Sequence, residues 1–362
     1  MRITFVLPYA ALGGGVRAVS MIARNLARAG HKITIVSTPK KGLPLKRRIG
    51  SLLRGGGWPS NGKGAPSHLD SLVGVEHCLI DSYRPIADTD VPDADVVIAT
   101  WWETAEWVAA LAPAKGEKVY FVQHNETVFD NQPTQRIEAT YRLPMRKIAV
   151  AQWLSDLMRD QYGDPNVPVV PCGIDHSVFD APPRGKQKRP VIGMMFARAA
   201  FKGSDVALGA YDLAARNIPG LELKIFGEKQ PAPPIVIPTG ATFEERPPQQ
   251  RIAEIYASCD AWLFASRCEG FGLPVLEAMS CRTPVIGTPT GVAPEVIGEG
   301  GGMLVKPDDA PDMAIAIERL SRLKEADWRK MSDAAYQTAA RFTWENSAKL
   351  FEAALANINA SR

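Results

Sequence analysis

"RITFVLPYAALGGGVRAVSMIARNLARAGHKITIVS", Arg2 to Ser37, reads as strand, glycine turn, helix and strand. "RITFVLP" is a short apolar run closed by Pro8. After Gly13, Gly14 and Gly15, the residues Val16, Val19, Ile22, Ala23 and Leu26 recur at helical spacing. Gly30 stands where a glycine in left-handed backbone ends a helix. "KITIVS" is then a β-branched run. This is a βαβ unit with its glycines at the first turn, and it sets the expectation of a parallel, doubly wound sheet.

The pattern repeats outward. "DADVVIAT" (93–100) and "KVYFVQH" (118–124) are the continuous apolar runs of buried parallel strands. "WWETAEWVAALA" between them reads as helix. "RKIAVA", a helix over Gln152–Tyr162 and "VPVVP" complete a first α/β half. "DAPPRGKQKRP", Asp180 to Pro190, is polar, basic and proline-rich, as a linker would be. A second half starts at "VIGMMFAR" and runs through a helix over Val206–Arg216, "LELKIFG", a helix over Gln249–Ala257, "DAWLFAS", "TPVIG" and "GGMLV". The last fifty residues read as wholly helical. The expected organisation is a first domain over 1–178, a linker over 179–190, a second domain over 191–342 and a terminal helix over 343–362.

Length and composition agree. A chain of 362 residues with 46% hydrophobic side chains has material for two cores. No apolar run is long enough to span a bilayer, and the N-terminus lacks the pattern of a signal peptide. Five scattered cysteines have neither zinc nor redox spacing, which points to free thiols in a reducing cytosol. The net charge of +3 conceals an asymmetry: the first acid is Asp70, and twelve Lys and Arg precede it. Such a block suits an anionic partner. The segment Lys40–Arg54 ("KKGLPLKRRIGSLLR") reads either as a basic amphipathic contact for an anionic membrane or phosphate-bearing acceptor, or as a solvated insertion.

The chemistry gathers in "CEGFGLPVLEAM", Cys268 to Met279. It leaves the carboxyl end of a strand and enters a helix with Pro274 suited to the N1 position. The amides of Gly270, Phe271, Gly272 and Leu273 at a helix N-terminus favour phosphate oxygens. A carboxylate beside phosphate is placed for hydroxyls instead. Glu269 and Glu277, at two depths, suggest a ligand with hydroxyls on both sides of a diphosphate, as in a nucleotide sugar.

With "SRCEGFGLPVLEAM", "TPVIGTPTGVAPEVI", "GGMLVKPDD", "VPCGIDHSVF", "GGGVRAV" and "RFTWENSAKLFEAAL", nearly the whole chain resembles the family 4 glycosyltransferases, retaining enzymes of the GT-B fold. The resemblance implies two Rossmann-like domains facing a cleft, with a C-terminal helix crossing back to the first. It implies an acceptor-binding first domain and a second that binds the nucleotide sugar. It gives Glu269 the transferred sugar and Glu277 the ribose hydroxyls, and it places Arg198 and Lys202 of "FARAAFKGSD" on the diphosphate. Two cations on a departing diphosphate stabilise its developing charge, so no metal ion is needed and no cofactor is expected. Gly14 and Gly15 would approach the donor phosphate or the acceptor. His124 either lies near the sugar, as in the family, or is satisfied locally at its strand end. "VQHNETVFDNQPTQRIEATYRLP" is similar to the bacterial rhamnosyltransferase branch.

The expectation is a cytoplasmic enzyme, peripheral to the inner membrane face where Lys40–Arg54 engages it. It would move a sugar from a nucleotide-sugar donor to a hydroxyl of a glycan or lipid-linked acceptor in cell-surface polysaccharide synthesis, with no nucleic-acid partner. The alternatives are a non-catalytic nucleotide-sugar-binding subunit and a sugar-nucleotide epimerase on the same plan. A phosphorylase would need a pyridoxal-phosphate lysine in a convincing setting. A dehydrogenase is disfavoured because "GGGVRAV" lacks G-x-G-x-x-G. One departure from the family stands out: Arg282 occupies a helix-ending position where glycine is usual, at a cost of about 1 kcal/mol.

Overall fold

A computed structural model describes residues 1–41, 66–70, 72–232 and 235–359. From residue 42 onward, the basic segment Lys40–Arg54 lies outside the described residues. The chain forms two compact units: Met1–Pro171 with Trp344–Arg362, and Cys172–Thr343.

The first unit is a six-stranded parallel sheet. Its strands are β1 (Arg2–Leu7), β2 (Lys32–Ser37), β3 (Val75–Leu79), β4 (Val96–Ala99), β5 (Glu117–Val122) and β6 (Arg146–Ala149). Their spatial order is β3-β2-β1-β4-β5-β6. The helices are α1 (Gly14–Arg28), α2 (Trp102–Ala110), α3 (Thr134–Tyr141) and α4 (Gln152–Tyr162). β1 and β2 bury every residue after the first, and β4 buries all four, which is why they read as unbroken apolar runs. β3 is an edge strand, largely exposed, and its "VEHCL" carries no apolar run to read. "VPVVP" adds only an isolated bridge, Ala149 to Val169.

The second unit repeats the plan. Its strands are β7 (Val191–Phe196), β8 (Glu222–Gly227), β9 (Ala241–Glu245), β10 (Ala261–Phe264), β11 (Val285–Gly287) and β12 (Gly302–Leu304), all parallel, in the order β12-β11-β10-β7-β8-β9. Its helices are α5 (Ser204–Ala215), α6 (Gln249–Ala257), α7 (Leu273–Ser280), the short α8 (Ala293–Val296), α9 (Ala310–Ser321) and α10 (Glu325–Ala339). Ile192, Met194, Leu223, Ile225, Leu263 and Ile286 form the centre of its core. Residues 172–190 pack with this unit: Lys186 donates to the carbonyls of Ser321 and Leu323, and the Gln187 N–H to the buried Asp260.

The last helix, α11 (Trp344–Asn359), returns to the first unit, as the resemblance implies. Phe351 is fully buried there, its ring 5.9 Å from that of Phe5 and 5.1 Å from that of Phe121. Glu352 meets His31 at 3.0 Å, fixing α11 to the end of α1. Two doubly wound sheets and a returning terminal helix are the constituents of the GT-B fold.

Candidate active site

In each unit the strand order reverses between its first and fourth strands, the place where ligands of doubly wound sheets bind. β1 and β4 flank that point in the first unit, and β7 and β10 flank it in the second.

In the second unit the loop after β7 carries Lys202 and the loop after β10 carries Glu269. Lys202 Nζ lies 2.6 Å from Glu269 Oε1, and the Ser266 hydroxyl donates to the same oxygen at 2.7 Å. Glu269 is buried and Lys202 partly exposed. The turn that delivers Lys202 depends on Gly203, at φ +62°, where an added Cβ would stand 1.9 Å from the Ala265 carbonyl oxygen. Only glycine allows the α5 loop to approach β10 so closely. The "GFG" loop is held as firmly. The Phe271 carbonyl accepts the Val292 N–H at 2.7 Å, and a Cβ on Gly291 would stand 2.2 Å from that same oxygen.

Gly272, at φ +93°, is the N-cap of α7. Leu273 is therefore N1, and Pro274 falls one place further in than the sequence reading put it. Gly270, Phe271 and Gly272 are buried. Glu277 is buried on α7 and accepts from the Tyr256 hydroxyl at 3.1 Å, so this ring, on α6, orients it. Arg198 stands apart from this group. It is exposed, with one bond to the Gln230 carbonyl at 3.2 Å. Lys202, Glu269, Ser266 and Pro274 line a cavity of about 20 Å³.

The first unit holds a cavity of about 820 Å³ at its own reversal point. Gly13 and Gly15 from the β1–α1 turn line it, with Trp101 after β4 and His124 after β5. The glycine turn is not forced by backbone geometry. Gly13 is extended at φ −72°, and neither Gly14 nor Gly15 has positive φ. What the glycines supply is room: a Cβ on Gly15 would press on the Gln123 side chain at 3.3 Å. The His124 ring bonds the Asn125 carbonyl at 3.0 Å and packs 4.7 Å from the Phe129 ring, which lies 5.4 Å from Trp101.

Behind this aromatic wall sits Glu126, only 1% exposed. Its Oε2 accepts the Trp102 N–H at 2.7 Å and the Tyr120 hydroxyl at 3.0 Å, and its own N–H donates to Tyr141 Oη at 2.8 Å. Burial pushes its carboxyl up to about 8, against the pull of those two donors. The same burial, with Glu126 beside them, raises the Tyr120 and Tyr141 hydroxyls. The sequence reading assigned no role to Glu126 and took Trp101 as part of a helix. The position of "TWW" at the carboxyl end of β4 was the available signal. Among the described residues, no group of His, Cys, Asp and Glu is arranged to hold a metal ion, and no helix is long and apolar enough to cross a membrane.

Comparison with known proteins finds two family matches, one after the other along the chain. A family described as Glycosyltransferase Family 4 matches residues 12–178, and one described as Glycosyl transferases group 1 matches 179–338. The chain is 37% identical over 100 residues to O-antigen chain mannosyltransferase B of Escherichia coli, a match covering 27% of this chain and 26% of that protein. It is 32% identical over 202 residues to D-inositol 3-phosphate glycosyltransferase of Mycobacterium marinum, covering 50% of this chain and 43% of that one. The matches thus span less than half the length of these curated relatives. Among solved structures, a sucrose-phosphate synthase from Thermosynechococcus elongatus has a TM-score of 0.72 at 16% identity, with both chains covered in full. HepE of Anabaena, in complex with UDP and glucose, has a TM-score of 0.71 at 16% identity, covering 99% of this chain and 100% of that one.

Proposed function

We propose that this chain, which belongs to the family 4 glycosyltransferases of GT-B fold, moves a sugar from a nucleotide-sugar donor to a hydroxyl of a glycan or lipid-linked acceptor in cell-surface polysaccharide synthesis. The observation that carries the reading is the meeting of Lys202, Ser266 and Glu269 at the reversal point of the second sheet. A lysine and a carboxylate in contact there suit a ligand that is anionic on one side and hydroxylated on the other.

The roles follow from that placement. Lys202, with Arg198 reaching in from its exposed position, neutralises the diphosphate as the bond from the anomeric carbon to the phosphate oxygen breaks. The N-terminus of α7 adds partial positive charge. Glu269 holds hydroxyls of the transferred sugar, and Glu277, oriented by Tyr256, holds the ribose. The acceptor oxygen bonds to the anomeric carbon on the face the diphosphate leaves, and its proton passes to the departing phosphate oxygen, giving retention. Two cations take the place of a metal ion, so a chelator leaves the rate unchanged. The cavity of the first unit receives the acceptor, with His124 and Gly15 at its edge.

Release of nucleoside diphosphate from UDP-glucose, GDP-mannose and dTDP-rhamnose, with and without glycan acceptors, tests the reading. The rhamnose donor is included for the resemblance in residues 122–144. The expected result is turnover of one donor, with Glu277→Ala weakening nucleotide binding at least tenfold by calorimetry. No turnover and no nucleotide binding would overturn it.

A further inference from the structure

The cavity of the first unit contains a buried carboxyl that the reaction just described does not use. Glu126 lines it, yet Glu126 is 1% exposed. Both protein donors to its carboxyl fall on Oε2, and no described residue meets Oε1. Trp102 lines the same cavity, and its indole Nε1 is buried with no hydrogen-bond partner. Buried polar atoms are ordinarily paired, so an unpaired indole N–H and a carboxylate oxygen without a partner on the wall of one cavity point to a ligand that pairs them.

The rest of the lining gives the class of ligand. Trp101, Phe129, His124, Tyr83 and Tyr9 present aromatic surface. A cavity of about 820 Å³, with broad rings and polar groups set among them, has the size of a small-molecule site. Ring faces pack against the apolar face of a sugar, and its hydroxyls need partners at the edges. Of the other charged residues in the lining, Glu103 accepts from the Tyr83 hydroxyl at 2.6 Å, Arg136 forms a two-pronged pair with Glu106, and Lys40 and Lys41 sit over the Tyr9 and Tyr83 rings. Among these, the fully buried carboxyl with an oxygen that meets no described residue is Glu126.

We propose that this cavity holds a pyranose ring of the acceptor against Trp101, and that Glu126 binds one of its hydroxyls through Oε1. This rests on the reading of the first unit as the acceptor-binding half. Glu126 also fixes the wall it belongs to. Its Oε2 ties the start of α2, and so the turn bearing Trp101, to Tyr120 on β5. The carboxyl thus joins the site's geometry to its choice of ligand. Burial favours its neutral form, which accepts at one oxygen and donates at the other.

Ligand-observed NMR on the full chain tests this with methyl α-mannopyranoside, methyl α-rhamnopyranoside and methyl β-glucopyranoside, each beside its monodeoxy analogues. The expected result is binding of at least one parent glycoside, and a loss of fivefold or more when one particular hydroxyl is removed. Glu126→Ala loses the same factor for the parent, and in that variant removing the hydroxyl costs nothing further. Glu126→Gln stays within threefold of the wild type, and Trp101→Ala abolishes binding. A purely structural glutamate would weaken every analogue by one factor and leave the hydroxyl's contribution intact in the variant, which overturns the proposal. So does a wild type that binds no pyranoside, or one that binds every deoxy analogue within twofold of its parent. The wild-type series decides even if Glu126→Ala fails to fold. Nucleoside diphosphate binding, measured in parallel, keeps the two readings apart: its loss refutes donor binding and leaves the glycoside result standing.

Discussion

Both units reverse their strand order at the same topological place, and they build opposite things there. The first opens a cavity of about 820 Å³ walled by aromatic rings. The second closes Lys202, Ser266 and Glu269 on one another around about 20 Å³. Topology therefore decides where a ligand meets each sheet, and the side chains just after the strands decide which ligand. Rings after β4 and β5 suit a sugar face. A cation after β7 and a carboxylate after β10 suit a diphosphate linked to a sugar.

The sharpest way to break this contrast is at the charged side. Glu269→Gln and Lys202→Met should each lower nucleoside diphosphate release by about 10²–10³-fold, the range for removing one preorganised group from a transition-state site. Stability should show their contact separately. Removing one partner leaves a largely buried charge unpaired, so each single variant should unfold more readily than the double variant. Thermal unfolding of the three proteins checks this, and additive losses would mean that the 2.6 Å contact carries no coupling.

The glycines test the contrast through the backbone. Gly203→Ala forces a side chain into φ +62° and a Cβ to within 1.9 Å of the Ala265 oxygen, and should cost about 3 kcal/mol or more. Gly13→Ala in the first unit meets nothing within 4 Å at an extended φ, and should change stability by about 0.5 kcal/mol or less. Denaturant unfolding reads both. Equal effects would mean that the two βα turns are built alike.

Glu126 adds a pH signature to the first unit. Its carboxyl moves from the ordinary 4.5 to about 8 on folding, because burial disfavours its charge. Between those values the unfolded chain holds fewer protons at this site than the folded one. Stability from this residue is therefore fully present below about 4.5, declines as pH rises, and is lost by about 8, with a slope of at most about 1.4 kcal/mol per pH unit. Glu126→Gln should flatten the melting temperature across that window. An unchanged pH dependence would show that the carboxyl is ionised in the folded chain.

The legible parts of this protein were those where burial is uniform. β1, β2, β4 and β10 are covered on both faces and read as apolar runs, and the helices over Gln152–Tyr162 and Gln249–Ala257 fall where spacing put them. The edge strands β3 and β9 are half exposed, so their apolar pattern is thin and their pairing comes from neighbours distant in sequence. At the site, the carboxylates and Lys202 were visible because they sit in one glycine-bounded motif each. Ser266 and Glu126 were not, since a serine or a glutamate beside a strand end declares its partner only when another strand's loop comes to meet it. Tyr120 and Tyr141, which surround Glu126, come from β5 and α3, and no local spacing joins all three.

The smallest effect concerns how each unit ends the helix that leaves its reversal point. After α1, Gly30 adopts φ +93° with nothing near its missing side chain. After α7, Arg282 adopts φ +59° in the same role. The strain foreseen there is real, and the side chain offsets it. The Arg282 guanidinium donates to the Ala181 carbonyl at 2.9 Å, pairs with Asp333 at 2.5 Å and stacks 4.1 Å from the centre of the Tyr336 ring. Arg282→Ala keeps the strain and loses all three contacts, for about 1–2 kcal/mol. Arg282→Gly loses the contacts but regains about 1 kcal/mol of backbone freedom, and should fall within about 1 kcal/mol of the wild type. Glycine should therefore be the milder substitution, the reverse of the usual order in a helix. If alanine proves milder, the left-handed backbone at 282 is relaxed at little cost, and the two units differ less at this helix end than their sequences imply.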